Sequence, residues 1–143
     1  MRRLLAVALL LPALAACGSG KDDYCAAVKD HQQELSDIVG SGAPDALLQA
    51  LPVFRDLQGK APDDITDEWQ QVVARIEALQ EALDDAGADP GTYDRDHPPA
   101  GLTAEQKARI DAAAEELGSG TTLRALQDLD QQARDVCQTP LTL

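Results

Sequence analysis

The segment "ITDEWQQVVARIEALQEALDDAG", residues 65–87, decides the fold of this chain. Its apolar residues recur at alternating spacings of four and three, which places them on one face of an α-helix of about six turns. Asp64 is positioned to cap the start of this helix, and Gly87 is a typical residue to end one. The apolar face consists of Ile65, Trp69, Val72, Ile76, Leu79, Leu83 and Ala86.

Two helices with the same spacing are predicted before this segment. The first ends at Gly40, and the second opens at Pro44. Pro52 lies inside the second helix and should kink or split it, because proline has no backbone N–H to donate. The inward-facing residues are Tyr24, Val28, His31, Leu35 and Ile38 in the first helix and Leu47, Leu48, Leu51, Phe54 and Leu57 in the second.

Two more helices are predicted after it. Thr103 and Gln106 form a capping box at the start of the fourth helix, which ends at Gly118, and Thr121 caps the fifth. No stretch alternates apolar and polar residues as a strand does, so the predicted fold class is all-α, a single bundle of four to five helices over residues 22–143. The inward-facing residues here are Ile110, Ala113, Ala114, Leu117, Leu126, Leu129, Ala133 and Val136.

The N-terminal segment has the layout of an export signal. Positive charge comes first, an apolar run follows, and two alanines end it. This run is too short for a membrane-spanning helix, which needs about 20 apolar residues. The order "LAAC", residues 14–17, resembles the lipobox of bacterial lipoproteins. We therefore expect residues 1–16 to be a lipoprotein signal peptide, Cys17 to carry the lipid, and residues 17–21 to form a short tether.

Lipidation of Cys17 would leave Cys25 and Cys137 of the three cysteines. Outside the cytoplasm such a pair is normally oxidised, so we expect a Cys25–Cys137 disulfide. Closing so long a loop should stabilise the fold by roughly 4–5 kcal/mol. The alternative, two free thiols for redox chemistry or metal binding, lacks a C-x-x-C motif and nearby histidines.

The disulfide constrains the topology. Five helices in strict up-and-down order would place the two cysteines at opposite ends of the bundle. The segment 88–101 holds three prolines and could extend about 45 Å, enough for a crossover that runs back along the bundle before the last two helices. The alternative is that the helix interrupted by Pro52 does not count as a full pass.

The charge of the chain excludes one class of partner. Without residues 1–16 the chain keeps 10 Lys+Arg against 25 Asp+Glu, a net charge of −15. Nucleic-acid binding needs the opposite sign to neutralise phosphates, so no nucleic-acid partner is expected. We interpret the acidity as a solvated surface that favours solubility.

Residues that could support catalysis are few. His31 has Asp30 and Glu34 beside it, but a di-iron bundle needs Glu-x-x-His twice, and we interpret His31 as a residue at the rim of the core. No catalytic residue, cofactor or metal site is predicted, and the chain is not expected to be an enzyme. The long 88–101 segment is either a structural strap or a recognition surface, and its candidate residues are Tyr93, Arg95, Asp96 and His97.

Four stretches resemble small secreted lipoproteins of actinobacteria: "LAAC" at 14–17, "DYC" at 23–25, "YDRDHPPAGL" at 93–102 and "DVC" at 135–137. The resemblance implies a surface location and a helical domain tied by a disulfide, and it implies no activity. We expect a lipoprotein anchored to the extracytoplasmic face of the cell membrane that binds a protein partner of the cell envelope. The alternative is a carrier of a small ligand or metal in a pocket between the helices.

Overall fold

The computed structural model describes residues 19–142, and this part of the chain folds as a packed helical bundle without a strand. The predicted fold class is therefore confirmed. Helix α1 begins inside the segment 17–21 that was expected to be a tether, whereas Cys17 and the predicted signal peptide lie outside the described residues. The helices are α1 (Ser19–Gly40), α2 (Ala46–Lys60), α3 (Thr66–Ala86), α4 (Ala104–Leu117) and α5 (Gly120–Cys137), and a 3-10 turn covers Asp63–Ile65.

Helices α1, α2 and α3 form three successive antiparallel passes joined by short turns. The sequence analysis predicted that Pro52 kinks or splits this helix, and the split is wrong, because α2 is one continuous helix through Pro52. The Pro52 side chain is exposed, while its neighbours Leu51 and Val53 are buried. The apolar contacts on both sides of the proline hold the helix together despite the missing N–H donor.

Helices α4 and α5 follow one another along α3 and share the fourth pass. At the start of α4, Gln106 Nε2 donates to the carbonyl oxygen of Asp85, which lies at the end of α3, with an N–O distance of 3.2 Å. At the start of α5, Thr122 accepts a 3.3 Å hydrogen bond from Gln71, near the beginning of α3. Both helices therefore run antiparallel to α3, one beyond the other.

The long loop predicted before the last two helices is present at residues 87–103, the α3–α4 loop, but its path differs from the expected one. It returns the chain to the end of the bundle that it left, and it does not run back along the helices. Five helices in four passes bring Cys25 and Cys137 to one end, where they form the predicted disulfide with a Cα–Cα distance of 5.0 Å. Neither a lengthwise crossover nor a broken α2 is needed.

Four of the predicted helix signals are confirmed, and two of them are the ends of α1 at Gly40 and of α4 at Gly118. Gly87 ends α3 with a φ of 63°, in the left-handed region where glycine has no steric penalty. Thr103 and Gln106 form the capping box of α4. Asp64 and Thr121 were wrong as caps: the 3-10 turn holds Asp64, and Ser119 caps α5 by accepting a hydrogen bond from the backbone N–H of Thr122.

The buried side chains form two clusters. The larger cluster centres on Trp69 and Tyr24 and lies between α1, α2, α3 and α5, on the side of the disulfide. The smaller cluster lies between the end of α3, the α3–α4 loop and α4, and it consists of Ala82, Leu83, Ala88 and Ile110. Leu48 and Leu79 pack against both clusters. The α3–α4 loop thus has an apolar base of its own, at the end of the bundle opposite the disulfide.

Candidate functional site

The α3–α4 loop begins with a tight backbone structure. The N–H of Gly87 donates to the carbonyl of Asp84, and the N–H of Ala88 donates to the carbonyl of Leu83. The N–H of Tyr93 then donates to the Asp89 carbonyl over 2.8 Å. These bonds fix the path of the loop over its first seven residues.

Tyr93 attaches the loop to the helices. Its ring is half-buried and packs against the smaller cluster, together with Leu102 from the far side of the loop. The hydroxyl oxygen is buried and has no hydrogen-bond partner among the described residues. The sequence analysis placed Tyr93 in the recognition surface, and the structure places it at the base of that surface.

Arg95 connects the loop to α4 by charge. Its Nε lies 3.3 Å from Oδ1 of Asp111, and Lys107 Nζ donates to Oδ2 of the same carboxylate over 2.6 Å. The hydrogen bond from Lys107 holds the pKa of Asp111 below its ordinary value, and the charge of Arg95 lowers it further. Asp111 therefore stays ionised and receives two cationic side chains.

Asp94 organises the tip of the loop. One carboxylate oxygen accepts from the backbone N–H groups of Asp96 and His97, over 2.8 and 3.3 Å, and the other lies 3.0 Å from Nδ1 of His97. The hydrogen bond from the His97 side chain, followed by that from the Asp96 backbone, lowers the pKa of Asp94. The sequence analysis did not include Asp94 among the candidate residues, although an aspartate two residues before a chain reversal is a typical turn former.

The loop presents three neighbouring polar side chains to solvent. Arg95 is 64% exposed and His97 is 86% exposed, and Asp96 is exposed as well. They provide one permanent cation, one anion and one imidazole on a backbone that Asp94 and Tyr93 hold in place. Such an arrangement suits hydrogen bonds and ion pairs with another macromolecule. It brings no nucleophile and general base together.

A second polar group lies between α1 and α2. His31 is 3.2 Å from Glu34 through Nδ1 and 3.1 Å from Asp56 through Nε2. Lys60 donates to the other oxygen of Asp56, and the hydrogen bonds from Lys60 and His31 lower the pKa of that carboxyl. Sequence analysis paired His31 with its neighbours in α1 and missed Asp56, because nothing in a single sequence shows which residue of α2 faces it.

The part of the chain from residue 19 to 142 contains no group of three or more His, Cys, Asp or Glu side chains arranged to hold a metal ion. Among the helices described, none combines the length and apolar character needed to cross a membrane. The predicted lipidation site, Cys17, lies outside the described residues. Comparison with protein-family models, with curated proteins and with solved structures finds no match to this chain, so the functional argument rests on its own residues.

Proposed function

We propose that this protein is a lipid-anchored lipoprotein of the cell envelope that binds another envelope protein through the outer face of its α3–α4 loop. The observation that carries the proposal is the position of this loop at the end of the bundle opposite the start of α1. With a lipid on Cys17, two residues before α1 begins, the loop would be the part of the molecule farthest from the membrane.

The length of α3 gives the scale of this separation. Its 21 residues span about 31 Å at about 1.5 Å per residue. A loop raised by this distance is accessible to proteins that project from the envelope. Because Tyr93 and the Arg95–Asp111 ion pair fix the loop beforehand, a partner would lose little free energy in ordering it.

The anchor is tested with a Cys17→Ser variant of the full chain expressed in its cell. We expect the wild-type protein to incorporate a labelled fatty acid and to sediment with membranes. The variant should incorporate no label and should be released or left unprocessed. Unchanged acylation and membrane association in the variant would contradict the lipoprotein assignment.

The recognition surface is tested with the triple variant Arg95→Ala, Asp96→Ala and His97→Ala. In-cell crosslinking through the full chain should capture a partner with the wild type and lose it with the triple variant. Because these side chains are exposed and the surface ion pair between Arg95 and Asp111 contributes little to stability, the melting temperature should change little. The matched control, which removes the same charges from exposed positions of α5, is Arg124→Ala, Gln127→Ala and Asp128→Ala.

The control variant should retain the captured partner. If the triple variant folds normally and still captures every protein that the wild type captures, the loop is not the recognition surface. If the control and the triple variant lose the partner equally, the loss is not specific to the loop, which also contradicts the proposal.

A further inference from the structure

The peptide bond between Asp89 and Pro90 lies in the first turn of the α3–α4 loop, and it is the single Asp–Pro bond of the chain. The Asp89 side chain is exposed and Pro90 is half-buried. Because the proline nitrogen carries no N–H, it cannot attack the carboxyl group that precedes it. The remaining route to a reaction between this side chain and the adjacent peptide is attack by a carboxylate oxygen on the carbonyl carbon of Asp89.

Two backbone donors hold the carbonyl oxygen of this bond. The N–H of Thr92 donates to it over 3.2 Å, and the N–H of Tyr93 donates to it over 2.8 Å. The Tyr93 ring packs against the smaller cluster, so the second donor is attached to the helices. Donors fixed at a carbonyl oxygen stabilise the negative charge that develops there when a nucleophile adds to the carbon.

The carboxylate of Asp89 is held beside the same bond. Its Oδ1 accepts a 2.8 Å hydrogen bond from the N–H of Gly91, the residue after Pro90. This bond orients the side chain toward the backbone that follows it, and we assign Oδ2 as the nucleophile. A nucleophile already held next to its target reacts far faster than one in solution.

We propose that the protein cleaves its own chain between Asp89 and Pro90 in mildly acidic solution. Oδ2 of Asp89 forms a bond to the carbonyl carbon of the same residue, while the N–H groups of Thr92 and Tyr93 stabilise the charge on the carbonyl oxygen. The C–N bond to Pro90 then breaks, and the nitrogen takes a proton from the acidic solvent and leaves as a secondary amine. Water hydrolyses the resulting cyclic anhydride to the two carboxyl groups of a C-terminal aspartate.

The disulfide determines what this cleavage does to the molecule. Cys25 lies in the fragment that ends at Asp89, and Cys137 lies in the fragment that begins at Pro90, so the two fragments remain covalently joined. The cut separates the loop from α3 and leaves Tyr93 to attach it to the helices. This reaction does not depend on the proposed protein contact, which uses the outer face of the loop.

The experiment is an incubation of the purified full chain, with its disulfide oxidised, in buffers from neutral pH down to about pH 4, where an ordinary aspartate is about half ionised. Mass spectrometry should show the gain of one water molecule, and two fragments that meet between residues 89 and 90 should separate only after reduction. A synthetic peptide of residues 85–95 reports the reactivity of the unfolded sequence. At each pH at which circular dichroism shows that the helices remain, the full chain should cleave about tenfold or more faster than the peptide.

Two variants separate the carboxylate of Asp89 from a general effect of charge. Asp89→Ala removes the nucleophile and should abolish cleavage at this bond. The matched control is Asp84→Ala, which removes the same charge from an exposed position at the end of α3 and should cleave at the wild-type rate. The proposal is overturned if the full chain cleaves no faster than the peptide, if it is cut only at other bonds, or if the two variants cleave at the same rate.

Discussion

The indole N–H of Trp69 donates a 3.2 Å hydrogen bond to the hydroxyl oxygen of Tyr24, and both side chains are fully buried. The bond joins the start of α3 to the start of α1, and it satisfies the only hydrogen-bond donor of the indole side chain. Phe54 from α2 packs on the same indole, with ring centroids 5.5 Å apart. Three helices therefore meet at one aromatic contact near the disulfide.

Burial raises the pKa of Tyr24 from 10.0 to about 12. The folded-state value lies above the unfolded one, so the stabilising effect of Tyr24 is fully present below pH 10 and is lost as the pH rises through about 12. We expect the denaturation midpoint of the wild type to fall over this range more steeply than that of Tyr24→Phe. In Tyr93→Phe, which retains Tyr24 as its single tyrosine, the absorbance change at about 295 nm should have its midpoint near pH 12. A midpoint near pH 10 would contradict the burial of this hydroxyl.

The disulfide closes a loop with a sequence separation of 112 residues. Restricting the unfolded chain by a loop of this length stabilises the fold by roughly 4–5 kcal/mol in the chain-entropy model. We expect the double variant Cys25→Ala and Cys137→Ala to lose about this much unfolding free energy in a urea titration. The oxidised wild type should show no reactive thiol at these positions. Two reactive thiols in protein isolated from its cell would contradict the bond.

The capping box of α4 gives a prediction with a control in the next helix. Thr103 Oγ1 accepts from the N–H of Gln106 over 3.1 Å, and the Gln106 side chain accepts from the N–H of Thr103 over 2.9 Å. Thr103→Ala should therefore cost about 1 kcal/mol of unfolding free energy. Thr121→Ala changes an exposed residue in the first turn of α5 that does not cap it and should be nearly neutral. Equal losses from the two variants in urea titrations would show that the box does not contribute.

Two leucines of α5 separate the effect of burial from that of helix propensity. Leu129 is fully buried, whereas Leu123 is half exposed. Leu129→Ala should lower the unfolding free energy by roughly 2–5 kcal/mol, because it removes buried methyl groups and leaves a cavity. Leu123→Ala, the matched change in the same helix, should cost less than about 0.5 kcal/mol. Denaturant titration of both variants measures the difference, and a small loss for Leu129→Ala would contradict its place in the core.

The sequence predicts the helices well because their apolar spacing is regular. The face that begins at Trp69 and ends at Leu83 is buried as expected, and the glycine after α3 ends it. Helix caps are harder to predict, because several residues able to cap a helix lie within two or three positions of its start. Ser119, two residues before Thr121, caps α5. Asp64, which was expected to cap α3, lies in a 3-10 turn in which the carbonyl oxygen of Pro62 accepts a hydrogen bond from the N–H of Ile65.

The number of passes could not be predicted, because spacing within a helix contains no information on whether two short helices share one pass. α4 has 14 residues and α5 has 18, and either length was compatible with a separate pass. The candidate site shows the same limit. The sequence places Tyr93 and Arg95 in the same loop, whereas the packing of Tyr93 on the smaller cluster and the ion pair of Arg95 with Asp111 in α4 are contacts that only the fold creates.

Because α4 and α5 meet at Gly118 and Ser119 and do not form one helix, we expect α4 to open independently of α5. The disulfide holds α5 to α1, whereas no covalent bond holds α4, which packs through Ile110 in the smaller cluster and Leu117 in the larger one. Amide hydrogens of α4 should therefore exchange with solvent through a partial opening that leaves the disulfide-tied helices folded. A partner bound to the loop would close this opening and slow exchange at that end of the molecule alone.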